Sequence, residues 1–211
     1  ERMLQTPSIA LQSVIKETVR MGEIVRRSIE VAKDVLYTQD QEAIDILKND
    51  ESDVDRLCAG ITNYTIKLSS LQISEKEHQE AAHLLQVLSD MERVSDYCEN
   101  ISEFAETLRD KKTSFSETAK KQLKEMIEET AKSYFYALDA FKEQSHEKAL
   151  RVIEKETKVD DLEVKLRSRH IKRLSNNECN TEAGIVFLDT LVCMERISDH
   201  ARNIAEEVLE E

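Results

Sequence analysis

Two stretches of the 211-residue chain hold the residue types best suited to chemistry. Met91-Glu92-Arg93-Val94-Ser95-Asp96-Tyr97-Cys98-Glu99-Asn100-Ile101 returns nearly letter for letter as Met194-Glu195-Arg196-Ile197-Ser198-Asp199-His200-Ala201-Arg202-Asn203-Ile204. Each sets a Glu and an Asp four positions apart. On a helix that spacing stacks both side chains on one face, one turn apart. Two carboxylates so placed cost a helix roughly a few tenths of a kcal/mol. A costly arrangement that is repeated implies a positive group between the side chains.

Two more pairs have the same spacing, Glu51 with Asp55 and Glu156 with Asp160. Glu92 lies one turn beyond Leu88 and two beyond Leu85, Glu195 follows Leu191 and Leu188, and Glu51 follows Leu47 and Ile44. The acids therefore continue or flank apolar rows. Antiparallel neighbours that bring two such rows face to face would gather four carboxylates, with Asn100 or Asn203 a further turn along as an oxygen ligand. Such a group would have raised pKa values unless a cation neutralised it. Its oxygen donors suit hard cations: Fe(III), Mn, Mg or Ca. In a chain with 43 acids a lone Glu-x-x-x-Asp reads as a solvated face, and Glu99, Glu103 and Glu206 extend such a face. Four pairs at duplicated positions favour metal. His200 has no counterpart in the first copy, where Tyr97 stands, and reads as a surface or supporting residue rather than a shared ligand.

The elements that must position these pairs are helices. Three glycines, one proline and 35% charged residues favour long helices and leave few places to turn. Thr6-Pro7 starts helix 1, which runs to Tyr37 with Ile15, Val19, Ile24 or Val25, Ser28 and Val35 as inward candidates; Gly22 within it reads as a close helix contact. Helix 2 spans Gln41 to Leu71 on the row Ile44, Leu47, Val54, Cys58, Ile61, Thr65 and Leu68. Ser74-Glu75-Lys76-Glu77 is a capping box opening helix 3, which runs to Arg109. Ser114 or Ser116 caps helix 4 (Glu117 to Gln144), Ser145 caps helix 5 (His146 to Leu174), and helix 6 runs from Glu182.

Three helices, the linker Asp110 to Phe115, and three more helices repeat one plan. A shift of 103 residues superposes Leu85, Leu88 and the Met91 motif on Leu188, Leu191 and the Met194 motif; a shift of 105 superposes Glu51, Val54, Asp55 and Leu57 on Glu156, Val159, Asp160 and Leu162. The expected fold is all-α, a tandem duplication of a three-helix bundle over residues 1–110 and 111–211.

The net charge of -13 argues against nucleic acid, which demands a basic face. The longest apolar run, Gly184 to Met194, contains Asp189 and falls short of the roughly 20 residues of a membrane span. Direct insertion of this segment into a membrane is therefore not expected. Cys58, Cys98, Cys179 and Cys193 lack CxxC spacing and read as reduced thiols.

Residues Met194 to Glu206, and their first copy from Met91 to Ile101, resemble the signature of the PhoU family, and the resemblance extends over essentially the whole chain. It implies two three-helix bundles whose Glu/Asp-x-x-x-Asp motifs hold multinuclear metal clusters, iron foremost, with zinc, manganese or magnesium as alternatives. The ligands it implies are Glu51, Asp55, Glu92 and Asp96, and their partners Glu156, Asp160, Glu195 and Asp199. Ser95 and Ser198 stand where the family usually has Gly. Residues Glu1 to Leu11 are similar to the junction of bacterial sodium/phosphate cotransporter proteins, in which a membrane domain precedes a PhoU-like domain. That similarity and the non-Met start imply an excised cytoplasmic domain, tethered to the inner face of the plasma membrane and partnered in cis by the transporter membrane domain.

The resemblance implies a non-enzymatic metal-binding regulator of phosphate uptake, either attached to such a transporter or acting as a stand-alone PhoU-type adaptor. A carboxylate-bridged di-iron enzyme or iron store competes through Glu75-x-x-His78, Glu80-x-x-His83 and Glu143-x-x-His146, of which only the second is well placed and none recurs in the other half. A plain helical scaffold is the third reading. No Gly-rich phosphate loop is present. Arg93 and Arg196 read as interhelical salt bridges or partner contacts, and a homodimer stays open, with Phe104 and Phe115 as either interface or packing.

Overall fold

The protein is described here by a computed structural model covering residues 7–176 and 179–210. Its elements are α1 (Pro7–Thr38), α2 (Gln41–Ser69), α3 (Glu75–Asp110), α4 (Glu117–Glu143), α5 (His146–Ser175) and α6 (Thr181–Glu210). Among the described residues there is no strand. The all-α, six-helix expectation therefore holds. The expected cap Thr6 lies outside the described residues.

Local sequence sets the helix starts. Asp40, Ser116 and Ser145 each accept a hydrogen bond from the backbone N–H three residues on, and Ser74 and Glu77 form the reciprocal capping box. Of the two serines offered for α4, Ser116 is the cap. Asn180 caps α6, its Oδ1 accepting from Ala183 at 3.0 Å. Helix α2 stops two residues short of expectation, where the Ser70 N–H closes on the Ile66 carbonyl. The scarcity of glycine does not prevent turning: Gln39, Lys112 and Gln144 take the left-handed conformation at φ 52°, 50° and 50°, while all three glycines sit inside helices.

Helices α1, α2 and α3 pack against one another, as do α4, α5 and α6; α3 against α6 and α1 against α4 join the two sets. The outer helices α2 and α5 make their main contacts within their own set. Gly22 lies at the α1–α4 crossing. A Cβ there would fall 2.5 Å from Leu138 Cδ1 and 3.1 Å from Met91 Cε, and the Tyr134 hydroxyl donates to the Gly22 carbonyl at 3.1 Å. It is thus the close contact its sequence position suggests.

The expectation for α1 is corrected in part. Val25, of the two offered, and Ser28 and Val35 are buried as expected, but Ile15 and Val19 are only partly buried, and the core row begins with Leu11, Val14, Thr18 and Met21. The helix has neighbours on both sides, α2 and α3 on one and α4 on the other, which shifts and widens its buried arc. The α2 row is buried as expected apart from Cys58, which is half-buried. All four cysteines are free. Phe115 is packing: it is 5% exposed and stands edge-on to Phe187 at 6.0 Å, while Phe104 packs partly buried against the core.

Candidate metal centres

The acidic pairs of α2 and α3 converge. Glu51, Asp55 and Asp96 each offer a carboxylate oxygen, and the three oxygens lie within 4.8 Å of one another. The second set repeats this between α5 and α6 with Glu156, Asp160 and Asp199. The antiparallel hairpins α2–α3 and α5–α6 create both groups, because one turn of each helix presents its acids to the other.

Electrostatics mark the first group as starved of positive charge. Burial pushes Glu51 up to about 7, helped by Asp55, Glu99 and Asp96. Asp96 is also raised by burial and by Asp55, although Arg93 opposes this. Glu92 lies at the edge of the group, raised by burial and by Asp96. In the second group burial raises Asp160, reinforced by Glu156 and Asp199; burial and then Glu156 raise Asp199; and burial and then Asp199 raise Glu195. Clustered carboxylates with raised pKa values are what a hard, oxygen-loving cation relieves. The donor set therefore fits a metal.

The other expected ligands fare differently. Asn100 is half-buried on α3. Asn203 Nδ2 donates across the α3–α6 contact to Asp90 Oδ1 at 2.9 Å. Arg93 and Arg196 do not bridge helices: each reaches the motif Asp of its own helix, Asp96 at 3.0 Å and Asp199 at 3.3 Å. They partly neutralise the carboxylates from outside.

Three residues carry more than their sequence position indicated. Glu99, which reads as part of a solvated face, lies in the field of the first group and is raised by burial, Glu103, Asp96 and Asp55. Its counterpart Arg202 donates to Glu156 at 2.9 Å and to Glu206 at 2.8 Å. His200 is half-buried and takes the supporting role of the two offered for it. Its Nδ1 lies 2.7 Å from Oδ1 of buried Asp90, and its ring stacks on Tyr97 at 5.9 Å, between the two carboxylate groups. The signal for His200 was its break of the repeat at Tyr97.

Of the three Glu-x-x-His sequences, the second meets further acids: His83 Nδ1 lies 2.5 Å from Glu207 Oε2, with Glu210 close by. Those acids come from the far end of α6, and the group ties the two halves together. Asp50, next to Glu51, is buried and turned away from the metal group. It accepts from Arg27 Nε at 3.0 Å and from Ser28 at 3.1 Å, fastening α2 to α1. Among the described residues no helix is long and apolar enough to cross a membrane.

Comparison with known proteins agrees with this architecture. The phosphate-specific transport system accessory protein PhoU homolog of Xylella fastidiosa (strain 9a5c) is 28% identical over 200 residues, 94% of this chain and 83% of that protein. YjbB of Escherichia coli (strain K12), whose name assigns it provisionally to inorganic phosphate export, is 23% identical over 210 residues; they make up 99% of this chain but 38% of that protein. The crystal structure of PhoU from Pseudomonas aeruginosa superposes with a TM-score of 0.90 at 21% identity, covering 96% of each chain, a likeness of fold. The model of the PhoU domain matches twice, over residues 18–105 and again over 123–208. With both halves matched, and with the duplicated carboxylate hairpins already evident, the chain belongs to the PhoU family.

Proposed function

We propose that this chain is a metal-dependent regulatory component of phosphate transport that catalyses no reaction itself. The observation that carries the reading is the pair of like-built carboxylate groups, Glu51–Asp55–Asp96 and Glu156–Asp160–Asp199. Each would hold a hard cation between the second and third helices of a PhoU-like repeat, residues 1–110 and 111–211. Iron is the first candidate, with zinc, manganese or magnesium as alternatives. Glu92 and Glu195 stand ready at the edges, and Asn100 and Asn203 are the outermost candidates. A bound cation would cross-link each hairpin and remove the repulsion stored there, so occupancy would alter the surface that a transport partner meets.

The relatives support the accessory role. The Xylella relative, named as an accessory protein of a phosphate-specific transport system, shares most of its length with this chain. That favours a PhoU-type adaptor working with a transporter at the cytoplasmic face over a cotransporter-attached domain. The match to part of the longer YjbB favours, as a second reading, a domain of a larger phosphate-moving protein. The gene sequence upstream of Glu1 decides between the two.

Metal analysis tests the central claim. The purified chain should bind transition metal, Mg or Ca at micromolar concentration, and Asp96→Ala with Asp199→Ala should abolish it. A wild-type chain that binds none of these metals at that level defeats the reading. Turnover of Fe(II) to Fe(III) with release would replace it with the enzymatic one.

A further inference from the structure

The carboxylate groups take cations; the opposite chemistry is concentrated at the other end of the second half. There α4 and α6 begin side by side, at the caps Ser116 and Asn180, facing the last turns of α5. Between them lies a cleft of ≈ 290 Å³ lined by Ser116, His170, Arg173, Asn180 and Gly184 among others, with no acidic side chain among the described residues of its lining. Acids at the two helix starts are answered locally, Glu117 by Lys120 at 2.9 Å and Glu182 by Lys111 at 3.7 Å.

His170 supplies the decisive detail. It is 2% exposed, and its ring stacks on Phe187 at 4.3 Å. Arg173 Nη2 lies 3.1 Å from His170 Nδ1. A guanidinium can only donate, so Nδ1 is the acceptor and the ring proton sits on Nε2. Against an opposing pull from a Gly184 backbone hydrogen bond, burial and the Arg173 charge hold the ring below its usual pKa, and this lowering favours the neutral form. Nε2 is thus a buried N–H donor, and among the described residues it has no hydrogen-bond partner of normal length, only the weaker pull of the Gly184 backbone. A buried donor without an acceptor costs free energy that a ligand can recover.

The first half lacks this arrangement. The register that pairs Glu51 with Glu156 pairs Thr65 with His170 and Leu68 with Arg173, and the register of the third helices pairs Ala81 with Gly184. The glycine is required: a Cβ at Gly184 would lie 3.0 Å from His170 Nε2 and 2.8 Å from Leu174 Cδ2. The second half thus replaces a threonine, a leucine and an alanine with a histidine, an arginine and the space to hold them.

We propose that this cleft binds a small tetrahedral oxyanion of the phosphate class. Arg173 supplies the charge, His170 Nε2–H a fixed donor, and the first turns of α4 and α6 supply backbone N–H groups and the positive ends of two helix dipoles. The site is independent of metal at the carboxylate groups. The same chemistry would accept free phosphate or a phosphoryl group on a peptide, and the enclosure of His170 favours the free ion.

The test is a titration of the whole chain, freed of metal by chelation, with inorganic phosphate up to about 10 mM. It is followed by calorimetry and by the ¹H–¹⁵N signals of the His170 ring. Saturable binding is expected, with a shift of the Nε2 resonance at the same midpoint. Arg173→Gln should weaken it about tenfold or more, and His170→Phe, which keeps the stacking on Phe187, should weaken it as well. A phosphoserine peptide run in parallel should bind no better than the free ion. Absence of saturable binding in a folded wild-type chain, affinity unchanged in Arg173→Gln, or binding of the peptide alone overturns the proposal. Because metal is absent throughout, failure here leaves the carboxylate reading untouched.

Discussion

Arg202 Nη1 donates to Glu156 Oε1 at 2.9 Å, and the residue at the matching position of the first half is Glu99. One centre thus carries its own counter-charge while the other carries an extra negative one. A cation should therefore fill Glu51–Asp55–Asp96 before Glu156–Asp160–Asp199. Arg202 is 42% exposed at its side chain, so solvent reduces its effect to about 0.5–1 kcal/mol, or roughly two- to fivefold in affinity. Calorimetric titration with Mn(II) should resolve two classes of site, and Arg202→Gln should tighten the weaker class by about that factor. A single class in wild type, unmoved by Arg202→Gln, would refute the asymmetry.

The metal-free protein should lose stability as pH rises through neutrality. Glu51 sits at about 7 in the folded chain against an ordinary value of 4.5, because burial and three neighbouring acids favour its protonated form. A raised folded pKa contributes stability that is complete below the unfolded value and is lost as pH rises through the folded one. The window is therefore about pH 4.5 to 7. The raised Glu92, Asp96 and Glu99 act in the same direction. Thermal melts at pH 5 and pH 8 should show the decline, and saturating divalent cation should flatten it. Glu51→Gln should raise the metal-free Tm at pH 8 by about 2–4 °C, an effect of about 1 kcal/mol after allowing for the partial exposure of the site. A metal-free Tm that is flat from pH 5 to 8 would remove the claim that the carboxylates are under strain.

How much of this was legible beforehand follows from range. Caps at Asp40, Ser74, Ser116 and Ser145 are decided within three residues, so the sequence places the helix starts. The four acidic pairs are also local, and duplication singles them out from the many other acids. Asp50 and Glu51 are adjacent, yet one fastens α1 and the other faces the metal group; the direction of each side chain depends on where α1 and α3 dock. Asp90, His200 and Asn203 meet only because α3 packs on α6, and no spacing within either helix encodes that contact. The interhelical bridge offered for Arg93 fails for the opposite reason: its carboxylate is three residues away on its own helix.

Glu129 holds α4 to α5 as Asp50 holds α2 to α1, but with the polarity reversed. In the register that pairs the halves, Asp50 faces Lys155, and Lys155 Nζ donates to Glu129 Oε2 at 2.9 Å while Lys132 donates to Oε1 at 2.9 Å. Burial alone would raise Glu129, yet those hydrogen bonds outweigh it and bring the carboxyl to about 2. A depressed folded pKa contributes stability that is present above the unfolded value of 4.5 and lost as pH falls through 2. Glu129→Gln should cost about 1–3 kcal/mol near neutral pH, and the difference from wild type should vanish by about pH 2. Urea unfolding at pH 7 and pH 3 checks this, and a variant as stable as wild type at pH 7 counts against it.

Gly22 and Gly60 both lie inside helices, and the same substitution should have opposite effects at the two. Any helix-interior Gly→Ala change gains about 0.5–1 kcal/mol from backbone entropy. At Gly60 a Cβ meets nothing within 4 Å, so the gain stands and Gly60→Ala should raise Tm by about 1–4 °C. At Gly22 a Cβ would fall 2.5 Å from Leu138 and close to Met91, both fully buried, so neither side chain can retreat without displacing the core. Overpacking of that kind costs about 1–3 kcal/mol, more than the entropy returns. Gly22→Ala should therefore lower Tm, and it should weaken the α1–α4 contact that also holds Tyr134 to the Gly22 carbonyl. Paired melts of the two variants decide the matter: a Gly22→Ala chain that melts above wild type would mean that α1 and α4 are not packed as closely as the Tyr134 bond requires.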